Sequence, residues 1–415
     1  MLVSNLTLSP EAVEAVVRSE RRYLAQTAPP EDKLVVSRAR GSTIETADGR
    51  AYLDFIAGIA VNNVGHAHPA VCGAIAEQIK AGLHFCVYGK YVVPVQVELA
   101  RRLAEVMPGP LETTFLTNSG TEAIEGALKL ARKYTGRSKL VTFERAFHGR
   151  TFGSLSVSWR EAYRNPFKPL LPDVHFIPFN DLDAARKTID DETAGVIVEP
   201  IQGESGIHPA SDTFLPGLRE LCDRQGALLI FDEVQSGFGR TGRFFACEHW
   251  DVVPDVLVMA KAMGSGMPVG GFASRPEVMS TLMEPPLSHI TTFGGHPVSC
   301  AAAIAGLNVI RDEGLVQRAA AAGDRIQRRL RALQDEIGRV REVRGKGLML
   351  GLELNSDEFT QSFVARALEL GLILGWTIYS GSTVRIAPPL VVTDEELNRG
   401  MAIVEQALKE AGGAA

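Results

Sequence analysis

The chain has 415 residues, 45% hydrophobic and 22% charged, the balance of an ordinary globular protein with room for a large domain and a smaller one. Lys and Arg number 43 against 49 Asp and Glu, and the net charge of −6 argues against a nucleic-acid binder, whose footprint is a basic face. No apolar run reaches the roughly 18 residues of a membrane span, and no basic stretch leads into an apolar core at the N-terminus, so a cytoplasmic protein is expected.

Ser9, Pro10 and Glu11 supply an N-cap, a proline at the first helical position and an acidic first turn, so a helix is expected from here. "STIETADGRAYLDF" (42–55) alternates around Asp48-Gly49, as a β-hairpin does. From about 95 to 260 the runs "TTFLTN", "KLVTFE", "VHFIPF", "GVIVEP", "ALLIFDEV" and "DVLVMA" alternate with amphipathic stretches such as "TEAIEGALKLARKY". Near-continuous apolar strands alternating with helices predict a mostly parallel sheet covered on both faces. Beyond 300 the texture changes. "AAAIAGLNVIRDEG" and "LVQRAAAAGDRIQRRLRALQDEI" read as helices, strands follow near 338–354 and 383–387, and a last helix starts near 393. A smaller α+β domain is expected there.

The five cysteines, at 72, 86, 222, 247 and 300, form no CxxC pair and are expected to be buried free thiols. Asn5-Leu6-Thr7 matches a glycosylation sequon, which carries no meaning without a secretion signal. His66 and His68 in "GHAHP" have poor ligand spacing and read as turn-stabilising, so no metal is expected.

Open parallel sheets bind ligands beyond the carboxyl ends of their strands. The polar clusters there are "NSGTEA" (118–123), "FHGRT" (147–151), "EPIQGE" (199–204), "DEVQSGFGRTG" (232–242) and Lys261 before a glycine-rich turn. Gly237 to Gly242 formally spell GxGxxG, but four polar or charged residues separate them from the strand and "RFFACEHWDVVPD" is a poor helix opening. A nicotinamide site is therefore not expected. "NSGTEA" reads either as a capped helix or as a phosphate site at a helix N-terminus. Asp232 and Lys261 end neighbouring apolar runs. They are either a structural ion pair or two ends of a cofactor site, with a Schiff-base lysine and an acidic partner for a ring nitrogen.

Those motifs, with "TTFGGHP" (291–297) and "VRIAPPL" (384–390), stand in the order seen in class III aminotransferases. The chain resembles the acetylornithine, ornithine and 4-aminobutyrate branch of that family over about residues 30–410. The resemblance implies fold type I of the pyridoxal 5′-phosphate (PLP) enzymes, a large mostly parallel sheet domain with a small α+β domain. Residues 1–60 would be an N-terminal segment of the small domain, 61–300 the large PLP-binding domain and 301–415 the C-terminal small domain. It further implies transfer of an amino group from an acetylornithine- or ornithine-type donor to 2-oxoglutarate, giving the aldehyde and glutamate. A 4-aminobutyrate or other ω-amino acid donor is the alternative, then a racemase or aminomutase of the same fold. A non-enzymatic binding role is the remaining class.

By the same resemblance Lys261 would carry PLP and move the proton, and Asp232 would keep the ring nitrogen protonated. Gln235 would bond the ring hydroxyl, while Val234 and Phe147 would cover the two ring faces. Ser119, Gly120 and Thr121 would hold the phosphate, closed by Thr292 of a neighbouring subunit, which implies a homodimer with shared sites, with further pairing of dimers left open. Arg385 would take the α-carboxylate of glutamate or 2-oxoglutarate and Arg150 the distal one. Glu204 would pair with Arg385 when the substrate brings no carboxylate there. Glu199 would support the Asp232 and Gln235 region. Ile59 in "AGIAV" lines the substrate pocket or is simply core, and His148 is structural or supports the site from behind. His296 stands where many relatives have asparagine.

Overall fold

The computed structural model describes residues 7–28, 33–85 and 90–411. Its centre is a seven-stranded sheet in the order Thr113–Thr117, Gly270–Ser274, Val256–Met259, Leu228–Asp232, Thr193–Val198, Lys139–Phe143, Val174–Ile177. Only Gly270–Ser274 runs antiparallel to the rest. Strand alternation sends successive side chains to opposite faces. Leu229 and Phe231 enter one core with Leu215 and Leu218 of the helix Phe214–Gln225, while Leu228 and Ile230 enter the other with Ile124 and Leu128 of the helix Gly120–Thr135. Both faces are thus covered by helices, as the unbroken apolar runs predict.

A second, antiparallel sheet joins Val340–Lys346, Met349–Leu354, Ser380–Ile386 and Gly375–Thr377. The helices Asp357–Glu369 and Asp394–Glu410 pack with each other, and the former lies on Ser380–Ile386. The N-terminal strands Val36–Arg40, Thr43–Thr46 and Ala51–Asp54 form a third sheet, and Leu372–Ile373 pairs in parallel with Ala51–Asp54. The expected hairpin turns at Gly49, whose φ of 87° suits glycine. The first helix spans Pro10–Tyr23, with the Ser9 hydroxyl accepting from the Ala12 amide at 3.3 Å. The helix expected from 301 begins at Pro297, a first-position proline, and Gly314 in the left-handed conformation separates it from Leu315–Glu336.

The GxGxxG stretch leads into turns and a short 3-10 helix, Ala246–His249. Gly242 abuts Ala320 so closely that a Cβ would sit 2.9 Å from its Cα. Arg240 inside the stretch is fully buried and donates to the carbonyls of Leu348 (3.0 Å) and Pro388 (2.6 Å) and to Asn63 Oδ1 (2.5 Å). The motif is a clasp between three parts of the chain.

Of the cysteines, Cys222, Cys247 and Cys300 are buried free thiols, and Cys86 lies outside the described residues, as does most of the Asn5 sequon. Cys72 corrects the expectation of burial. It is exposed, because the helix Pro69–Ala81 turns Val71 inward and leaves the next position to solvent. His66 Nε2 lies 2.7 Å from Asp54, and His68 caps that helix by accepting from the Ala70 amide at 3.3 Å. Among the described residues no helix is long and apolar enough to cross a membrane, and no cluster of three His, Cys, Asp or Glu could hold a metal.

His249 donates to the Thr241 carbonyl at 3.0 Å. Burial, followed by the Lys346 and Arg243 cations, pushes its pKa down to about 4 from 6.5. The folded value lies below the unfolded one, so this contribution to stability is complete above about pH 6.5 and is lost as pH falls toward 4. Replacing His249 with Gln, which keeps a donor, is expected to flatten the acid-side fall in stability by up to about 1.4 kcal/mol per pH unit. Urea titrations from pH 6.5 to 4 with identical slopes for both proteins would contradict this.

Candidate active site

A cavity of about 560 Å³ opens beyond the carboxyl ends of the central strands. Ser119 caps the helix Gly120–Thr135 at its edge, its hydroxyl accepting from the Glu122 amide at 3.3 Å. The first-turn amides of Gly120 and Thr121 have no intrahelical acceptor. Gly120 lets this turn approach Val234 on the cavity wall, since a Cβ there would meet Val234 at 3.0 Å. Thr121 Oγ1 pins the 149–154 loop through Ser154 Oγ (2.6 Å), Thr151 Oγ1 (2.8 Å) and the Thr151 amide (3.2 Å).

Asp232 and Lys261 both line the cavity but do not form the direct ion pair that was one expectation. Asp232 stands in register with Val258, whereas Lys261 lies beyond the end of that neighbouring strand at Met259, at the start of a short 3-10 helix. Asp232 instead takes the His148 Nδ1–H at 2.7 Å and the Val234 amide at 3.0 Å. No carboxylate of the described residues lies within 4.0 Å of Lys261 Nζ. Burial lowers the Lys261 pKa, against the opposing pull of Glu204. Lys261 itself adopts φ of 50°, which turns the chain sharply out of the strand.

Glu199 holds the cavity floor by accepting from the Phe147 and Gly203 amides, each at 3.0 Å. Burial raises its pKa to about 7, with His148 opposing and Asp232 reinforcing the rise. Gln235 donates through Nε2 to Glu204 at 3.0 Å, while its Oε1 is buried without a partner.

At the other end Arg385 and Glu204 form a buried ion pair at 2.6 Å. The Ile378 amide donates to the second Glu204 oxygen at 3.2 Å. Burial alone would raise the Glu204 pKa, but Arg385 and then Lys261 outweigh it and hold the carboxylate below its usual range. Arg150 is exposed on the cavity wall. Its guanidinium lies 4.6 Å from the ring centres of both Phe147 and Tyr163.

Of the fourteen residues expected at the site, ten line this cavity, Glu204 and Arg385 adjoin it through Gln235, and two lie elsewhere. Thr292 is exposed and does not line this chain's cavity; its neighbour Thr291 accepts from Asn118 Nδ2 at 2.9 Å. Ile59 is neither core nor cavity lining, being 43% exposed, and Val61 lines the cavity instead. The cause is backbone geometry. Ala57, Gly58, Ile59 and Ala60 all have positive φ (47°, 60°, 61° and 60°), a left-handed turn that points Ile59 away. Sequence reasoning assigned nothing to Tyr163 or Tyr379. Their only signal is a tyrosine six positions before Arg385 and another in a polar loop.

These residues fit PLP on four observations: free first-turn amides, an unpartnered buried Gln235 oxygen, a lysine without a carboxylate, and a carboxylate across the cavity. Comparison with known proteins agrees. The family model "Aminotransferase class-III" matches residues 25–408. Acetylornithine aminotransferase of Methanopyrus kandleri is 46% identical over 372 residues, covering 90% of this chain and 93% of that protein. Putrescine aminotransferase of Pectobacterium atrosepticum is 40% identical over 389 residues, covering 91% and 82%. The solved ornithine aminotransferase of Toxoplasma gondii, with PLP in partial occupancy at its active site, superposes with a TM-score of 0.91 at 32% identity, covering 98% of this chain and 95% of that one. The chain therefore belongs to the class III aminotransferases, PLP-dependent transaminases of fold type I.

Proposed function

We propose that the enzyme moves a terminal amino group from a carboxylate-bearing donor of the acetylornithine or ornithine type to 2-oxoglutarate. The observation that carries this reading is the buried Glu204–Arg385 pair facing an Arg150 that no carboxylate neutralises among the described residues. A terminal amine brings no carboxylate to Arg385, so Glu204 stays paired with it. Glutamate and 2-oxoglutarate bring one, and Arg385 exchanges Glu204 for it in bidentate geometry. In both cases Arg150 receives the carboxylate remote from the reacting carbon.

PLP, when bound, supplies the carbonyl that takes the amine and a ring that accepts the electrons left on the substrate carbon. Lys261 would hold the cofactor, and its amine is placed to move a proton at the substrate carbon. Burial favours the neutral amine this needs. Asp232, oriented by His148, would hold the proton on the ring nitrogen. Gln235 Oε1 would accept from the ring hydroxyl, Val234 and Phe147 would cover the ring, and Ser119, Gly120 and Thr121 would bind the phosphate. Glu199 fixes the Phe147 and Gly203 backbones behind the site.

The reading includes a cytoplasmic homodimer with shared active sites, in which Thr292 closes the partner's phosphate site. Supporting it, Phe85, Ile290 and Phe293 are exposed large apolar side chains, and the His84 ring lies tilted against Phe293 at 4.8 Å, which brings the two segments together. We also assign residues 61–300 to the large domain, and 1–60 with 301–415 to the small one, supported by the pairing of Ala51–Asp54 with Leu372–Ile373.

Acetylornithine added without any 2-oxo acid is expected to abolish the cofactor's visible absorbance, and 2-oxoglutarate to restore it. Colour that persists until 4-aminobutyrate is added would move the donor to the ω-amino acid class. Lys261→Ala is expected to lose covalently held cofactor and at least about 10³-fold in turnover, and full activity would overturn its role. Glu204→Gln is expected to weaken the terminal-amine half-reaction about tenfold while lowering the KM for 2-oxoglutarate, because Arg385 no longer has a competing carboxylate. Equal losses in both half-reactions would count against the exchange.

A further inference from the structure

Tyr379 presents a problem in hydrogen-bond accounting. Its hydroxyl is buried; Arg150 and the Arg160 backbone approach the phenol oxygen as donors, but neither within hydrogen-bond geometry, and the O–H finds no acceptor among the described residues. An unsatisfied buried hydroxyl is costly enough that it calls for an explanation.

The side chain is held firmly. Its ring meets Phe147 edge-on at 6.3 Å and stacks on Tyr163 at 6.1 Å, with an interplanar angle of 26°. The Arg160 guanidinium lies 5.8 Å from its ring centre, and Arg160 also donates to the Ile378 carbonyl at 2.8 Å. The Tyr379 amide donates to the Glu204 carbonyl at 2.9 Å, so the ring hangs from the loop that carries the Glu204–Arg385 pair.

The surroundings select the charge of what the hydroxyl would meet. The Arg150 guanidinium has Phe147 and Tyr163 against it, each at 4.6 Å; it makes a long hydrogen bond of 3.5 Å to the Gly149 carbonyl and otherwise approaches only the Tyr379 hydroxyl. Neither Arg150 nor Arg160 takes part in an ion pair among the described residues. Burial raises the Tyr379 pKa, with Arg150 pulling the other way, so the phenol stays protonated and is available as a donor. Two uncompensated cations and an idle O–H donor suit an anion with two acceptor oxygens. A second ammonium group, as at the far end of a diamine, would meet repulsion and no acceptor but the phenol oxygen.

We propose that Tyr379 is a specificity-determining residue whose hydroxyl donates to the substrate carboxylate remote from the reacting carbon, the one held at Arg150. This rests on the role proposed above for Arg150. It narrows the donor to ω-amines that end in a carboxylate and disfavours diamines. The aromatic contacts align the donor before substrate arrives, so little ordering entropy is lost on binding.

The test uses the PLP-loaded enzyme and glutarate, a five-carbon dicarboxylate that cannot react. Its affinity is measured by calorimetry for the native protein, Tyr379→Phe and Arg150→Met. Tyr379→Phe removes one oxygen and keeps every ring contact. Both variants are expected to bind glutarate at least about tenfold more weakly. Tyr379→Phe is also expected to reduce the preference for acetylornithine over putrescine, in kcat/KM, by a similar factor. Native affinity in Tyr379→Phe with weakened binding in Arg150→Met overturns the inference and leaves the Arg150 role standing. Native affinity in both variants overturns the two together. Equal losses of kcat/KM for acetylornithine and putrescine also overturn it, since a general packing defect does not distinguish the donors.

Discussion

The active site depends on a charge separation that the sheet cannot close. Asp232 ends its strand opposite Val258, Lys261 follows the end of the adjacent parallel strand, and the two form no ion pair. Each therefore needs something else. Asp232 finds His148 and a backbone amide, which satisfy its oxygens and fix its direction. Lys261 finds no carboxylate within reach, and burial then weakens its hold on a proton. The space between them is the cavity, and the unmet hydrogen-bonding groups around it, Gln235 Oε1 and the first-turn amides, face the same unfilled need.

Around that gap the site is asymmetric in how it treats arginines. Arg385 is buried and neutralised by Glu204, which itself accepts from Gln235 and Ile378. Removing one partner of such a pair leaves a buried charge, so the pair can open only when an equivalent carboxylate replaces Glu204. Arg150 is exposed and backed by aromatic faces, so it can wait for a ligand at little cost. In the function proposed above, one arginine is therefore a conditional site and the other a standing one, and this difference in burial would let two unlike substrates share a cavity.

The supporting frame is held by groups far from the reacting atoms. Arg240 joins the loop after Asp232 to the hairpin at Leu348, to Pro388 and to Asn63. Pro388 lies three residues beyond Arg385, so this clasp also limits how far the Arg385 strand can drift from the sheet. The left-handed turn at 57–60 is the costliest backbone in the region, because it includes the β-branched Ile59. Asp54 supports it by accepting from the Ile56 and Ala57 amides, both at 2.9 Å. The turn brings Val61 to the cavity wall.

Much of this was legible in the order of residues. The apolar runs, with helices between them, dictated a covered parallel sheet, because only burial on both faces tolerates unbroken hydrophobic strands. The ordered motifs marked Lys261, Asp232, Gln235, Arg150 and Arg385 for one site, and all of them line the cavity or its Arg385 end. Contacts between distant segments were not legible. The separation of Asp232 from Lys261, the outward turn of Ile59 and the exposure of Cys72 depend on how whole elements seat against each other. Tyr379 is the clearest case. In the sequence it is one tyrosine six positions before Arg385, and only the packing of Phe147, Tyr163 and Arg160 around it leaves its hydroxyl buried and its O–H without an acceptor among the described residues. Local pattern determines which residues can be buried and which strands can form, whereas pairing between remote side chains is decided by tertiary geometry, which no local pattern encodes.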